Sequence, residues 1–199
     1  MSSRDLILSR LRAAGRTPAP LPAVPLFDQD LPPARDAFKQ ALARVGGIWC
    51  EPPADGDLDA LIRARFPDAR VVCSAVPEVA GTRRIEAVER PHELNDVDVG
   101  IVRPAFAVAE TGSLYLSERE YRVNALGYLS QHLVALLDPA QIVGNLHHAY
   151  HRPEFFAARY ACLMSGPSAT ADIEGVLIRG AQGIRSLTVI PVPLAGDAR

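Results

Sequence analysis

A chain of 199 residues suits one domain with a real core, or one domain plus an extension. Its formal charge of -2 and pI near 6.2 argue against a nucleic-acid-binding protein, which usually carries a basic face. Lys39 is the only lysine, and the arginines are spread along the chain, so they form no phosphate-binding stripe. Cys50, Cys73 and Cys162 are odd in number and far apart. That spacing excludes a disulfide framework and a Cys-x-x-Cys motif. It also excludes an iron–sulfur cluster held by this chain alone, which takes about four thiolates. The longest uncharged stretch, Val123 to Leu137, is too short and too polar for a membrane span. The start, Met1-Ser2-Ser3-Arg4-Asp5, lacks the apolar run of a secretory signal, so a cytoplasmic location is expected.

In chain order, the spacing of Leu6, Ile7, Leu11 and Ala14 predicts an N-terminal docking helix. Prolines 18, 20, 22, 25, 32 and 33 then enforce an extended connector, lying on this chain or presenting its helix to a neighbouring subunit. This sets residues 1–33 apart from a domain over 34–199. A helix over Ala34–Val45 presents Phe38, Ala41, Leu42 and Val45 on one face and stops at Gly46-Gly47. The strand Ile48–Cys50, a helix over Asp57–Phe66 and the strand Arg70–Cys73 continue the alternation. Strands are expected at Leu94–Val102, Phe106–Ala109, Ser113–Leu116 and His132–Leu137. Asp138-Pro139 starts a helix running to about His148, and Ala161–Ser165 and Leu187–Val192 complete the strands. Alternating elements with nearly continuous apolar strands predict an α/β fold with a mostly parallel central sheet flanked by helices. In such sheets ligands collect outside the carboxyl ends of the strands.

Two loops carry the candidate chemistry. From Ser165 to Gly175 a strand is expected to pass into a helix, with Gly166 and Pro167 shaping the exit and Ser168 or Thr170 capping the helix. A capped helix start attracts anions, although Asp172 and Glu174 in its first turn oppose a phosphate on the axis. The other loop holds Glu110 between Val108-Ala109 and Leu114, a setting expected to be poorly solvated and to raise its pKa. Glu110 is then either a usable acid, base or nucleophile, or an acceptor for backbone amides in a turn shaped by Gly112. Thr111 and Ser113 add hydroxyls beside it, for a ligand or for the turn. His132 opens a strand and is a further ligand-contact candidate. His147, His148 and His151 fit the cationic end of a helix better than a metal site, and no metal ligand set is assigned.

These loops resemble two signatures of the lactate utilisation protein C family, the LUD-domain proteins. One is the run Gly166-Pro167-Ser168-Ala169-Thr170-Ala171-Asp172-Ile173-Glu174, followed by the turn Gly180-Ala181-Gln182-Gly183. The other is Ala109-Glu110-Thr111-Gly112-Ser113 before Leu114-Tyr115-Leu116, and a weaker third is His132 before Leu133. The resemblance spans roughly residues 95 to 193. It departs at Ala169, where a basic residue is expected, at Gln182, where a His is usual, and at Ile184, where a Pro is usual. If those groups hold an anion in relatives, their loss here weakens that site.

The resemblance implies a fold like that of phosphosugar isomerases and coenzyme A transferases. It also implies a component of a multi-subunit system oxidising L-lactate to pyruvate, with iron–sulfur clusters on partner subunits and no cofactor bound by this chain alone. The implied ligand is a small anion held by Thr111, Gly112, Ser113, His132, Gly166, Ser168, Thr170 and Asp172, and a homo-oligomer is compatible with it. The alternative is a stand-alone isomerase, coenzyme A transferase or cycloligase-type enzyme using Glu110.

Overall fold

The computed structural model describes residues 2–15, 20–171 and 175–194. In chain order the elements are α1 (Ser3–Ala13), α2 (Ala34–Arg44), β1 (Ile48–Trp49), α3 (Leu58–Arg65), β2 (Val72–Ser74), β3 (Arg83–Arg84) and β4 (Val99–Val102). There follow β5 (Phe106–Val108), β6 (Ser113–Ser117), α4 (Glu118–Tyr121), α5 (Leu126–Leu129), β7 (His132–Leu137), β8 (Ile142–Val143), α6 (Leu146–Tyr150) and α7 (Pro153–Ala157). The chain ends with β9 (Ala161–Met164), β10 (Ala169–Thr170), β11 (Ile178–Arg179) and β12 (Ser186–Pro191). Among the described residues, no helix is long and apolar enough to cross a membrane.

Six strands form the expected parallel sheet, in the order β1-β12-β7-β4-β2-β3, with every neighbouring pair parallel. Its central strand β7 is apolar after His132 because both faces are covered. Leu133, Ala135 and Leu137 point into a core shared with Phe38 and Leu42 of α2. Val134 and Leu136 pack on the opposite face with Leu58 and Ile62 of α3. Asp57 starts α3 by accepting the Ala60 amide at 2.8 Å.

The strands expected at 106–109, 113–116 and 161–165 do form, but they leave the central sheet. They build a second, mixed sheet in the order β8-β5-β6-β9. Its inner face, through Ala107, Leu114 and Leu116, joins the main core. Phe106, Val108 and Tyr115 form a separate outer cluster with Ala149. Phe106 and Tyr115 stack there at 4.6 Å between ring centroids.

Two expected elements are shorter than their patterns suggested. The strand predicted from Leu94 begins at Val99, because Pro91–Asp96 turns as a 3₁₀ helix. Asp138 caps as expected, accepting the Ala140 amide at 3.0 Å, but its helix lasts one 3₁₀ turn. The β-branched pair Ile142-Val143 takes a strand conformation instead, pairing with β5, and Asn145 caps the new helix α6. The N-terminal helix forms with a Ser2/Asp5 capping box, yet it buries no side chain, and Ile7 and Leu11 remain 58% and 67% exposed.

Of the three thiols, Cys73 is fully buried and Cys50 and Cys162 are half-buried. Burial pushes the Cys73 thiol up to about 11, which leaves it without reactive thiolate near neutral pH. Cys73 is therefore expected to resist iodoacetamide in the native protein and to be labelled once denaturant is added. Mass-spectrometric peptide mapping of the two samples reads this directly.

Candidate functional site

The two motif-bearing loops meet on the last turn of α2. The turn that joins β5 to β6 closes with a bond from the Gly112 amide to the Val108 carbonyl at 2.9 Å. Gly112 has φ +66°, and a Cβ there would stand 2.4 Å from the Leu42 nitrogen and 2.6 Å from the Ala41 carbonyl carbon. Only glycine lets the turn lie against the helix backbone. Gly166 repeats the arrangement one turn further along, with φ +73° and a Cβ position 2.3 Å from the Val45 carbonyl oxygen. Arg179 completes the assembly, its guanidinium packed against Gly46 where the negative end of the helix dipole lies.

Hydroxyls join the two loops laterally. Thr111 Oγ1 lies 2.7 Å from Ser113 Oγ, which in turn lies 2.6 Å from Ser165 Oγ. Ser113 is 2% exposed, so its hydroxyl is engaged inside the protein and not offered to solvent. Ser165 is the residue that sequence reasoning passed over as a site member. Its place between an apolar strand and Gly166 was visible, but its partner lies 52 residues away.

Beyond Ser165, where a helix was expected, none forms among the described residues up to Arg179. Ala169–Thr170 pairs antiparallel with Ile178–Arg179, so Ser168 and Thr170 cap no helix. Ser168 instead clamps the following turn: its amide donates to the Ile184 carbonyl, its hydroxyl donates to the Gln182 carbonyl at 2.8 Å, and its carbonyl accepts the Gly180 amide. Thr170 is exposed on the hairpin. Asp172 lies outside the described residues.

Glu110 is exposed, contrary to the poorly solvated setting expected for it. Its amide donates to Gly144 O and its Oε2 accepts the Leu146 amide at 3.1 Å, which joins the β5–β6 turn to the start of α6. Beside it lies an open cavity of about 390 Å³, lined by Glu110, Gly144, Asn145 and His147 and by Phe27 and Leu31 of the connector. Asn145, a second residue absent from the sequence expectations, fastens that connector. Its Nδ2 donates to the carbonyls of Leu26 at 2.8 Å and Phe27 at 3.1 Å. His147 packs against Phe27 with the rings tilted and 4.7 Å between centroids, and the His151 ring bonds the His147 carbonyl.

His132 stands at the amino end of β7, opposite the end at which ligands were expected. Its Nδ1 lies 2.8 Å from Ser186 Oγ and its ring packs on Phe66 at 4.9 Å. Ile184 and Arg185 reach this same amino edge, since Arg185 donates its amide to Gln131 O and Ile184 O accepts the Ser168 amide. Burial, aided by the charge of Arg185, holds the His132 pKa below the usual histidine range. The unfolded chain therefore binds more protons as pH falls below about 6.5, and His132 reduces stability there while leaving it intact at higher pH. Urea unfolding at about pH 7.5 and about pH 5.5 is expected to show a smaller loss of stability in acid for His132→Asn than for the native chain.

A model of the LUD domain matches residues 58–192, which include both loops. The chain is 27% identical over 158 residues to "Lactate utilization protein C" of Geobacillus thermodenitrificans, a match covering 74% of this chain and 63% of that protein. The protein of the same name from Geobacillus sp. (strain WCH70) is 25% identical over 169 residues, covering 79% and 68%. The chain thus spans less than two thirds of the first relative's length. Among solved structures, a DUF162 family protein from Deinococcus radiodurans superposes with a TM-score of 0.59 at 20% identity, covering 80% of this chain and 96% of that one. That likeness supports the α/β fold.

Proposed function

Because the chain belongs to the LUD-domain family, we propose that it serves lactate utilisation, as a lactate utilisation protein C-like component of a multi-subunit system oxidising L-lactate to pyruvate. The observation that carries the reading is the shared name of the curated relatives, joined to a family match that takes in both loops. Removing two electrons and two protons from lactate requires an acceptor. Three separated cysteines fall short of the thiolates that a cluster takes, so the iron–sulfur clusters and the redox step belong to partner subunits. This chain then contributes assembly and the binding of a small anion, in the cytoplasm.

A tagged pull-down from the native host grown on L-lactate tests the proposal. Cysteine-rich chains and lactate-oxidising activity are expected to co-purify, and recovery of this chain alone would overturn the subunit role.

One observation favours a second reading. Glu110 is exposed beside a cavity of about 390 Å³, where a carboxylate is placed to attack or deprotonate a small substrate as in an isomerase, coenzyme A transferase or cycloligase. Turnover by the isolated chain that is lost in Glu110→Gln would support it, and turnover unchanged in that variant would remove it.

A further inference from the structure

The carboxyl ends of the parallel strands hold a cleft that neither loop touches. The connection leaving β2 passes outward to β3, whereas the chain leaving β4 returns toward β7 on the other side. Adjacent strands whose exits diverge leave a crevice between them, the usual ligand position in an open parallel sheet. Here the crevice is a cleft of about 410 Å³ lined by Glu78 after β2, Arg103 after β4, Asp138 after β7, and Arg119 and Arg122 from around α4.

Arg103, Glu78 and Glu120 in this cleft are already engaged. Arg103 donates through Nη2 to Glu78 at 2.5 Å and through Nη1 to the Val192 carbonyl at 2.9 Å. Glu120 accepts the Ser117 amide and hydroxyl at 2.7 and 2.6 Å. Arg119 donates to the Ala157 carbonyl at 3.3 Å, and three further groups are left over. Arg103 Nε and Asp138 Oδ2 are buried with no hydrogen-bond partner among the described residues, although Asp138 Oδ1 caps Ala140. Asp138 is only 5% exposed, so an unpartnered carboxylate oxygen there is a demand for a donor. The third group is Arg122, exposed on the rim and held at φ +62°, ψ -49°, a backbone conformation that a non-glycine residue rarely adopts.

We propose that this cleft binds a small hydroxy-acid anion. The acid group pairs with the guanidinium groups of Arg122 and Arg103, and the neighbouring hydroxyl donates to Asp138 Oδ2. Both atoms are shielded from solvent, with Arg103 held by Glu78 and the Val192 carbonyl and Asp138 by the Ala140 amide, so binding requires the two side chains to rotate toward the cleft they line. A simple carboxylate satisfies the arginines and leaves Asp138 unpaired, which makes the hydroxyl the specificity determinant. Only the choice of L-lactate among the probes rests on the function proposed above.

Calorimetric titration of the purified chain with L-lactate, glycerate, propionate and inorganic phosphate tests the site. A hydroxy acid is expected to bind saturably and roughly tenfold more tightly than propionate, the lactate skeleton without its hydroxyl. Arg122→Gln is expected to weaken that binding roughly tenfold, and Asp138→Asn, which keeps the cap on Ala140, to erase the preference over propionate. Arg122 is exposed, so its variant folds even if the Asp138 variant does not. Glycerate binding without L-lactate binding would keep the cleft and count against the lactate reading alone. No saturable binding of either hydroxy acid, equal binding of propionate, or binding unchanged in Arg122→Gln would overturn the proposal.

Discussion

Gly112→Ala is expected to destabilise the protein by about 3–4 kcal/mol. Part is the left-handed backbone at φ +66°, worth about 1–2 kcal/mol for a residue with a Cβ. The rest is overpacking, about 1–3 kcal/mol, because the new methyl meets the Leu42 nitrogen at 2.4 Å and backbone cannot rotate away. In a chain of this size the melting temperature should fall by roughly 10 °C. Gly56→Ala is the matched control. Gly56 has φ +74° and nothing within 4 Å of its Cβ position, so its loss should stay near the conformational strain alone, about 1–2 kcal/mol. Thermal unfolding of the two variants side by side separates conformational strain from contact with α2. Equal losses would remove the contact.

The second large effect is expected at Leu42. Its side chain is fully buried in the main core, its backbone faces Gly112, and its carbonyl accepts the Gly47 amide at 2.9 Å. Leu42→Ala should therefore lower stability by about 3–4 kcal/mol, from lost burial and the cavity left behind, measured as a lower urea midpoint at constant slope. It should not rescue Gly112→Ala, because the crowding at Gly112 comes from the nitrogen and Cα of residue 42, which alanine retains. Relief in the double variant would show that the side chain, not the backbone, sets the fit.

What sequence made legible was the parallel sheet, because β7, β4 and β12 are buried on both faces and are mostly apolar, broken only by His132, Ser186 and Thr188. Helices α2 and α3 were equally plain from the spacing of Phe38, Ala41 and Leu42, and of Leu58 and Ile62. The second sheet was not, since the strand pattern of Phe106–Val108 and Ser113–Ser117 carries no information about which sheet accepts it. The hairpin at Ala169–Thr170 was missed for a different reason. Ser168, Pro167 and the acidic residues after them are helix-start chemistry, but pairing with Ile178–Arg179 across the chain overrode it.

The candidate loops were found by their residues and misread in their surroundings. Glu110 was assigned a shielded environment from its apolar neighbours, yet those neighbours face the core while the carboxylate points outward. His132 was correctly placed at a strand start, which in a parallel sheet is the end away from the crevice at the carboxyl ends. The groups in that crevice come from five separate segments of chain, and no local spacing joins Arg103 to Asp138 or Arg122.

Thr111, Ser113 and Ser165 join the two loops into one hydroxyl-linked unit on α2. A double-mutant cycle with Ser113→Ala, Ser165→Ala and the pair, read by urea unfolding, tests this most directly. A coupling energy of about 1 kcal/mol between the two positions is expected from the bond across β6 and the end of β9. Strictly additive losses would contradict it and leave the loops as neighbours that share only the helix beneath them.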